Sequence, residues 1–329
     1  MKFDRRTMML GAGMAMASAC AMARDVEQTP WESWKERFIA PEGRVVDTGN
    51  GGISHSEGQG YGMLFAEAAD DRATFDRLWG WTNATLSRPD VRLFSWRYDP
   101  AALPPVNDPN NATDGDILIG WALMRAARRW HVQEYETASQ QIRVAIGTRL
   151  TVPVFGRTAL LPGLAGFYIG QKATLNLAYY VWPALDAFAK ADPEGPWASL
   201  IQHGEQLLRE SRFGFAGLPT DWIDIDPFGP PRPAAGRPAT FGFDAIRIPL
   251  YLAMSKRRQM LAPYAGFWRD PAMRPAWIDV FTGAQAPYSL STGGQAIARV
   301  ALGKSLVSTS IGPNDDYYSS TLLLLASMV

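Results

Sequence analysis

The stretch DGDILIGWALMRAARRW, residues 114–130, carries the clearest secondary-structure signal in the chain. Ile117, Trp121 and Met124 fall on related faces when this stretch is wound as an α-helix, and further apolar residues follow at spacings of three and four. The stretch EYETASQQIRVAIGTRL, residues 134–150, comes after a short break and is predicted to form a partner helix. Together the two stretches predict one helix–turn–helix unit.

The same helix–turn–helix rhythm recurs on both sides of this unit. Residues 31–39 predict a short amphipathic helix, and residues 60–86 predict two helices that meet near Asp70. Further helical pairs are predicted in YYVWPALDAFAKA with PWASLIQHGEQLLRES, in FDAIRIPLYLAMSKRRQML with YAGFWRD, and in GGQAIARVALGKSL with DDYYSSTLLLLASMV. No β–α–β alternation and no fixed-period repeat is visible, so a closed toroid of helix pairs fits better than an open solenoid. The sequence therefore predicts an all-α fold of the (α/α) barrel type.

Two stretches break the helical rhythm. Residues 151–167, TVPVFGRTALLPGLAGF, are rich in β-branched residues, Pro and Gly, and predict a hairpin or an extended loop. Residues 224–240, DIDPFGPPRPAAGRPAT, are rich in Pro and Gly and predict one long surface loop. Neither stretch marks a domain boundary.

The composition narrows the possible functions. The chain has 329 residues, 47% of them hydrophobic, with 32 basic and 32 acidic side chains, so no charge excess indicates a nucleic-acid partner. Cys20 is the only cysteine, and the three histidines lie far apart, which argues against thiol catalysis and against a zinc site. No P-loop, dinucleotide fingerprint or nucleophile elbow is present. We therefore expect no cofactor and no metal, and carboxylates are the remaining candidates for chemistry.

The N-terminus has the pattern of an export signal. Twin arginines at positions 5 and 6 precede an apolar stretch, and Ala21 and Ala23 form an A-x-A arrangement suited to signal peptidase. The apolar stretch is shorter than the roughly 20 residues of a membrane span, so no integral membrane segment is expected. We expect residues 1–23 to be a Tat-like signal and residues 24–329 a single catalytic domain in the periplasm or secreted. A weak lipobox ending at Cys20 makes a lipoprotein the less favoured alternative.

Several carboxylates stand beside Gly, Ser, Thr or aromatic residues instead of on charged helix faces. They are Glu57 in SEGQGYG, Asp114 and Asp116 in NATDGDI, Asp221 in PTDW and Asp244 in FGFDAIR. Simpler interpretations exist, because Glu57 suits a helix cap and Arg247 could be a plain salt-bridge partner of Asp244. Successive helical residues turn by about 100°, so at most one of the two acids in NATDGDI is expected to share a pocket with Glu57.

Separated carboxylates together with many aromatic residues indicate glycoside hydrolysis. One acid protonates the leaving oxygen, while the other activates water or attacks directly. The 12 tryptophans offer flat rings that can cover the apolar faces of sugars.

Five motifs in order resemble glycoside hydrolase family 8: SEGQGYGM, NATDGDILIGWALMRAARRW, NLAYYVWPALDAF, PTDW and FDAIRIPLY. The resemblance covers nearly the whole chain after the signal and is similar to the endoglucanases associated with bacterial cellulose synthesis. One departure is Gly120, where alanine is usual. The resemblance implies an (α/α)₆ barrel with six helical hairpins and an open substrate groove, and hydrolysis with inversion.

The resemblance also implies roles for individual residues. Glu57 matches the general acid, and Asp244 matches the general base of the branch in which that residue lies just before AIR. Asp114 matches the aspartate that binds the sugar at the cleavage point. Tyr179 matches a tyrosine near the attacking water, although Tyr180 beside it leaves this register open. Trp96 and Trp222 are expected to be sugar platforms.

These observations predict an exported endo-β-1,4-glucanase that acts on cellulose-like chains, possesses no cofactor and works beside a cellulose synthase complex. The nearest alternative is the same fold acting on xylan, chitosan or mixed-linkage glucan. Two further alternatives are a glycan-binding protein without activity and a helical scaffold for the synthase.

Overall fold

The structure is a computed structural model that describes residues 28–271 and 274–329. The predicted signal, residues 1–23, lies outside the described residues. The helices are α1 (Pro30–Phe38), α2 (Ser56–Ala68), α3 (Arg72–Thr85), α4 (Thr113–Trp130), α5 (Gln133–Arg149), α6 (Trp182–Ala191), α7 (Trp197–Glu210), α8 (Arg247–Met254), α9 (Ala262–Phe267), α10 (Thr292–Ala301) and α11 (Tyr317–Ser327). Short 3₁₀ turns span Leu177–Tyr179 and Arg258–Met260.

Short antiparallel strands connect the helices. They are β1 (Ser54–His55), β2 (Ser87–Arg88), β3 (Leu93–Phe94), β4 (Arg97–Tyr98), β5 (Thr151–Val154), β6 (Arg157–Leu160), β7 (Tyr168–Ile169), β8 (Lys172–Leu175), β9 (Ile223–Ile225), β10 (Arg232–Pro233), β11 (Thr240–Phe241) and β12 (Ile278–Asp279). Strands β10, β9, β8 and β7 form a four-stranded sheet in that order, and the other strands pair two by two.

The two non-helical predictions had different outcomes. The hairpin predicted for residues 151–167 is confirmed by β5 and β6, which pair from Thr151 with Leu160 to Val154 with Arg157. The single surface loop predicted for residues 224–240 is wrong. That stretch contains β10, and at its start Asp224 of β9 is fully buried and pairs with Thr174. The Pro and Gly residues mark the turns between these short strands and not one continuous loop.

The helices form two concentric layers. Helices α2, α4, α8, α10 and α11 bury more than half of their residues and α6 buries four of ten, and neighbours in this set contact each other in chain order. Helices α1, α3, α5, α7 and α9 bury one face and pack on the outside. The fold is an (α/α)₆ barrel, as the sequence predicted. Within residues 28–271 and 274–329, no helix is both long and apolar enough to cross a membrane.

The outer layer has a non-helical member in the described part of the chain. Residues 302–316, which connect α10 to α11, contain no helix and run beside α1. Arg37 of α1 holds this segment, donating from Nη1 to the carbonyl of Gly312 at 2.7 Å and from Nη2 to the carbonyl of Asp315. Arg299 of α10 holds the other end, donating from Nε to the carbonyl of Ser305 at 2.6 Å. The sixth outer position is therefore filled by a coil held by two arginines.

The ring closes where α1 lies between α2 and α11. The indole Nε1 of Trp34 donates to Thr321 Oγ1 of α11 at 3.1 Å, and the same ring packs edge-on against Phe65 of α2 at 5.2 Å. Trp34 is fully buried. One tryptophan thus joins the first and the last inner helices.

Glycines let α2 and α4 approach closely at one end of the barrel. A Cβ atom on Gly60 would lie 2.5 Å from Leu118 Cβ, and one on Gly115 would lie 2.7 Å from the backbone nitrogen of Glu57. Real Cβ atoms are not found this close to a backbone nitrogen, so any side chain at position 115 would push the two helices apart. The starts of α2 and α4 are consequently in direct backbone contact.

This contact predicts opposite effects for two alanine substitutions. Gly115→Ala should lower the free energy of unfolding by about 1–3 kcal/mol, the usual cost of overpacking a tight contact. Gly80→Ala is the matched control, because Gly80 is exposed in α3 with open space around it. It should raise stability by about 0.5–1 kcal/mol through helix propensity. Urea unfolding measures both, and a gain in stability for Gly115→Ala would contradict the packing argument.

Candidate active site

One end of the barrel gathers four polar elements around a single side chain. Arg247, the first residue of α8, is buried. Its Nη1 contacts Glu57 Oε1 and lies 3.3 Å from Asp114 Oδ2, and its Nη2 donates to Asp244 Oδ1 at 2.7 Å. The ring of Tyr179 lies 6.0 Å from the guanidinium carbon. The structure therefore brings together four of the residues predicted from the sequence.

Glu57 lies in the first turn of α2 with 18% of its side chain exposed. The N-cap of this helix is His55, whose Nδ1 accepts a hydrogen bond from the backbone nitrogen of Gly58 at 3.0 Å. Glu57 Oε1 accepts a hydrogen bond from the Tyr61 hydroxyl at 3.1 Å, one turn further along α2. That hydroxyl is also hydrogen-bonded to the Tyr251 hydroxyl of α8. Since His55 caps the helix, the Glu57 carboxyl is left to contact Arg247 and Tyr61.

Asp114 and Asp116 lie in the first turn of α4 but point to different sides, as the helical geometry predicts. Asp114 faces the guanidinium, and burial raises the pKa of its carboxyl to about 7. Asp116 points away and accepts hydrogen bonds from the backbone nitrogen of Phe94 at 2.9 Å and from Asn111 Nδ2 at 2.7 Å. Of these two acids, Asp114 shares the site with Glu57, and Asp116 anchors the neighbouring loop.

Asp244 is partly exposed, with 31% of its side chain accessible to solvent. Loss of hydration raises the pKa of Asp244 to about 8, and the negative charges of Asp221 and Asp114 add to this effect. The guanidinium of Arg247 acts in the opposite direction, because a nearby cation favours the ionised carboxylate. The pairing with Arg247 and the nearby charge of Arg237 therefore both favour the ionised form of Asp244.

Asp221 fixes the backbone that carries Asp244. Its Oδ1 accepts hydrogen bonds from the backbone nitrogens of Gly242, Asp244 and Ala245 at 3.1, 3.2 and 2.8 Å. Its Oδ2 accepts a hydrogen bond from Thr240 Oγ1 at 3.3 Å. One carboxylate thus holds a tight turn in place by three backbone donors.

The two adjacent tyrosines have different surroundings. Tyr179 is half-buried, faces the guanidinium and meets the ring of Trp222 edge-on at 6.0 Å. Tyr180 is fully buried, and its hydroxyl accepts a hydrogen bond from the backbone nitrogen of Leu160 at 3.1 Å. The structure therefore places Tyr179 next to the carboxylate cluster and Tyr180 in the core.

Trp222 lies in a stack of flat groups. Its ring is parallel to that of Phe167, with 5.7 Å between the centroids and 6° between the planes. The guanidinium carbon of the exposed Arg237 lies 4.0 Å from the Trp222 ring centroid. A sugar that stacks on Trp222 would have to share or displace this guanidinium.

Trp96 is linked to the start of α2. Its backbone carbonyl accepts a hydrogen bond from the backbone nitrogen of Ser56 at 3.0 Å, one residue before Glu57. Its indole Nε1 donates to Asp108 Oδ2 at 2.7 Å, and the ring is half-buried. The backbone of Trp96 therefore contacts the start of α2 beside Glu57, and its ring is held by Asp108.

Aromatic rings continue past Asp244, in a cavity of about 350 Å³. Phe243 and Tyr288 line it, and each is 54% exposed. The hydroxyl of Tyr318, on the same wall, donates to the carbonyl of Phe243. Exposed rings beside carboxylates suit the apolar faces of sugar rings. No motif in the sequence indicated these residues.

No sequence motif indicated how far Arg247 reaches or that two tyrosines lie behind Glu57. Arg247 was interpreted only as a partner of Asp244, three residues away, although it also contacts acids from α2 and α4. Tyr61 follows Glu57 by four residues and Tyr251 follows Arg247 by four. The i, i+4 spacing on a helix could have indicated the contact of Tyr61 with Glu57. The hydrogen bond between Tyr61 and Tyr251 joins two helices and has no local signal in the sequence.

Separated carboxylates and exposed aromatic rings at one end of an (α/α)₆ barrel define a hydrolase that acts on carbohydrate. The comparison with known families agrees: the model of glycosyl hydrolases family 8 matches residues 2–329. This chain belongs to glycoside hydrolase family 8.

Relatives in the family are similar over most of their length. An endoglucanase of Cellulomonas uda is 42% identical over 282 residues, which cover 85% of this chain and 79% of the relative. A probable endoglucanase of Novacetimonas hansenii is 39% identical over 327 residues, which cover 96% of this chain and 95% of the relative. The crystal structure of an endo-β-1,4-glucanase from an Achatina fulica gut metagenomic library superposes with a TM-score of 0.89 at 40% identity, covering 92% of this chain and 98% of that one.

The position of Asp221 predicts a change in the ionisation of Asp244. Asp221→Asn keeps an oxygen for the three backbone donors but removes a negative charge, so the pKa of Asp244 should fall. Asp224→Asn is the matched control, because Asp224 is equally an acid of this region but bonds to Thr174 and Ala235 instead. Carbon-13 NMR titration of the aspartate carboxyls measures both variants. An equal shift in both, or none in Asp221→Asn, would contradict the assignment.

Proposed function

We propose that the chain is an endo-β-1,4-glucanase that cleaves cellulose-like glucan chains with inversion of the anomeric configuration. The observation that carries the proposal is the meeting of Glu57, Asp114 and Asp244 on one guanidinium, next to a cavity lined by aromatic rings. The names of relatives that are 39–42% identical support a glucan substrate.

Glu57 is the general acid of the proposed reaction. It protonates the oxygen of the departing sugar as the bond to the anomeric carbon breaks. The hydrogen bond with Tyr61 fixes the orientation of the carboxyl, and Tyr251 completes the buried pair behind it. Arg247 contacts Glu57 in the free protein, so the approach of a sugar to Glu57 is accompanied by separation of this pair.

Asp244 is the general base. It takes a proton from a water molecule, whose oxygen then attacks the anomeric carbon from the side opposite the departing sugar. A base must be ionised to act, and the pKa of Asp244 is raised to about 8. The ionised fraction therefore grows as the pH rises through the neutral range, and the acid limb of kcat/KM should lie there instead of near 4.

The remaining residues of the site bind the sugar chain. Asp114 accepts hydrogen bonds from the hydroxyls of the sugar at the cleavage point, and Tyr179 lies beside the path of the water. Trp96 and Trp222 serve as platforms for neighbouring sugar rings. The open rings of Phe243 and Tyr288 extend the platform set beyond Asp244.

We also propose that the chain is exported to the periplasm or secreted and works beside a cellulose synthase complex. The twin arginines, the apolar stretch and the A-x-A site support cleavage of residues 1–23, which would leave residues 24–329 as one catalytic domain.

Mass spectrometry of the exported protein should give a start near Met22 or Arg24. A start at Met1 would contradict cleavage, and a diacylated Cys20 would indicate a lipoprotein. Co-purification with the synthase tests the partnership.

Glu57→Gln tests the proposed acid. The amide keeps the shape of the side chain but supplies no proton, so kcat on carboxymethylcellulose should fall by at least about 10²–10⁴-fold. A cello-oligosaccharide with an activated aryl leaving group needs less protonation and should lose less. Reducing-sugar release and aryl release measure the two losses, and equal losses on both substrates would contradict the acid role.

Asp244→Asn tests the proposed base and the stereochemistry. Turnover should be lost while oligosaccharide binding is largely kept, because the base acts in the chemical step. Proton NMR of the first wild-type product should show the α-anomer before mutarotation. A β-anomer would require a covalent intermediate and would exclude Asp244 as a base.

Wild-type activity on xylan, chitosan or mixed-linkage glucan that exceeds activity on cellulose derivatives would replace the proposed substrate, and no turnover on any of them would favour a binding protein.

A further inference from the structure

Asn176 is a buried amide next to the carboxylate cluster, and one of its two polar atoms has a clear role. It is 1% exposed and precedes the 3₁₀ turn that carries Tyr179. Its Oδ1 accepts a hydrogen bond from the backbone nitrogen of Ala178 at 3.0 Å. A backbone N–H can donate only to the oxygen of the amide, so this bond fixes which way the amide faces. The nitrogen, Nδ2, must therefore point in the other direction.

The nitrogen of this amide has no hydrogen-bond partner among the described residues. It nevertheless lies close enough to the Asp244 carboxyl to lower the pKa of that group. A buried donor without a partner is costly, and such groups in native proteins have a water molecule, a ligand or a function. Nδ2 therefore faces the Asp244 carboxyl and interacts with it, although it completes no hydrogen bond with any group of the described residues. The fold places the two residues together, because the 3₁₀ turn that follows Asn176 packs against α8, which begins three residues after Asp244.

We propose that Asn176 is a further catalytic residue, whose Nδ2 donates a hydrogen bond to the attacking water and holds it against Asp244. This inference rests on the proposed function, in which Asp244 is the general base. The water accepts a hydrogen bond from Nδ2 with one lone pair and donates one proton to Asp244. Its second lone pair is then left to face the anomeric carbon. Two partners fix an orientation that Asp244 alone would leave free to rotate.

The proposed step balances without any additional reactant. The water oxygen forms a bond to the anomeric carbon as the bond from that carbon to the departing oxygen breaks. Asp244 takes one proton from the water, and Glu57 gives one to the departing oxygen. Asn176 neither gains nor loses a proton, so its contribution is to the position of the water.

A purely structural role for Asn176 is the alternative to be tested. In that case its only task is to cap the 3₁₀ turn through Oδ1, which also positions Tyr179. The two roles use different atoms of the amide, so they can be separated by substitutions that keep an oxygen acceptor for Ala178 and remove the donor.

Asn176→Asp and Asn176→Ser make this separation. A carboxylate or a hydroxyl can still accept the hydrogen bond from Ala178, but neither presents an amide N–H toward Asp244. We expect kcat on carboxymethylcellulose to fall about 10²-fold in both variants, with KM changed less than threefold, as for a misplaced reacting group. In Asn176→Asp the acid limb of kcat/KM should also move to higher pH, because the added negative charge raises the pKa of Asp244.

Asn111→Ser is the matched control, because Asn111 is also a buried asparagine at this end of the barrel, and both of its amide atoms are hydrogen-bonded. It should lose stability in urea and keep the kcat of the folded protein. Wild-type kcat in folded Asn176→Asp and Asn176→Ser would overturn the proposal, as would a rise in KM at unchanged kcat. If one variant does not fold, the other decides. An inactive wild type, or an active Asp244→Asn, would instead overturn the proposed function.

Discussion

The contact between the starts of α2 and α4 is the constraint on which the site depends. Gly115 has no side chain, so the backbone of α4 can rest directly on Glu57. Gly60 does the same one turn further, against Leu118. Without this approach Glu57 and Asp114 would be separated by the width of a side chain, and one guanidinium could not reach both. The short distance between the two acids is therefore determined by how closely α2 and α4 pack.

The positive charge of Arg247 partly offsets the negative charge of the carboxylates that this packing brings together. A cluster of three carboxylates with one arginine carries a net negative charge when all are ionised, and burial disfavours that state. The raised pKa values of Asp114 and Asp244 express the resulting preference for sharing protons within the cluster. Displacement of Arg247 from one acid by a sugar would redistribute these protons. The same cation that pairs with the three carboxylates therefore also influences the protonation of the acid and the base.

The sequence predicted features that depend on neighbouring residues, and it did not indicate contacts between residues that are far apart in the chain. Apolar spacing predicted the helical pairs, and the motif around Glu57 marked its helix, because both are determined by residues within a few turns. The contacts of Arg247 with three carboxylates were not predicted. Asp114 lies 133 residues before Arg247, and nothing in the sequence indicates that the fold brings the two side chains together. The register of Tyr179 against Tyr180 stayed open for the same reason. The sheet that includes Asp224 was hidden because Pro and Gly obscured very short strands.

The closure of the ring has a consequence for the order in which the protein folds. Trp34 bonds to Thr321, 287 residues away, and the His55 ring that caps α2 packs against Tyr317 of α11 at 5.6 Å. The wall behind the His55 cap of α2 is therefore supplied by a helix that begins 260 residues after Glu57. A nascent chain on the ribosome can carry every acid of the site and still lack that wall, and such long-range closure is slow to form. Assembly of the groove is thus a late folding event that begins only once α11 has emerged.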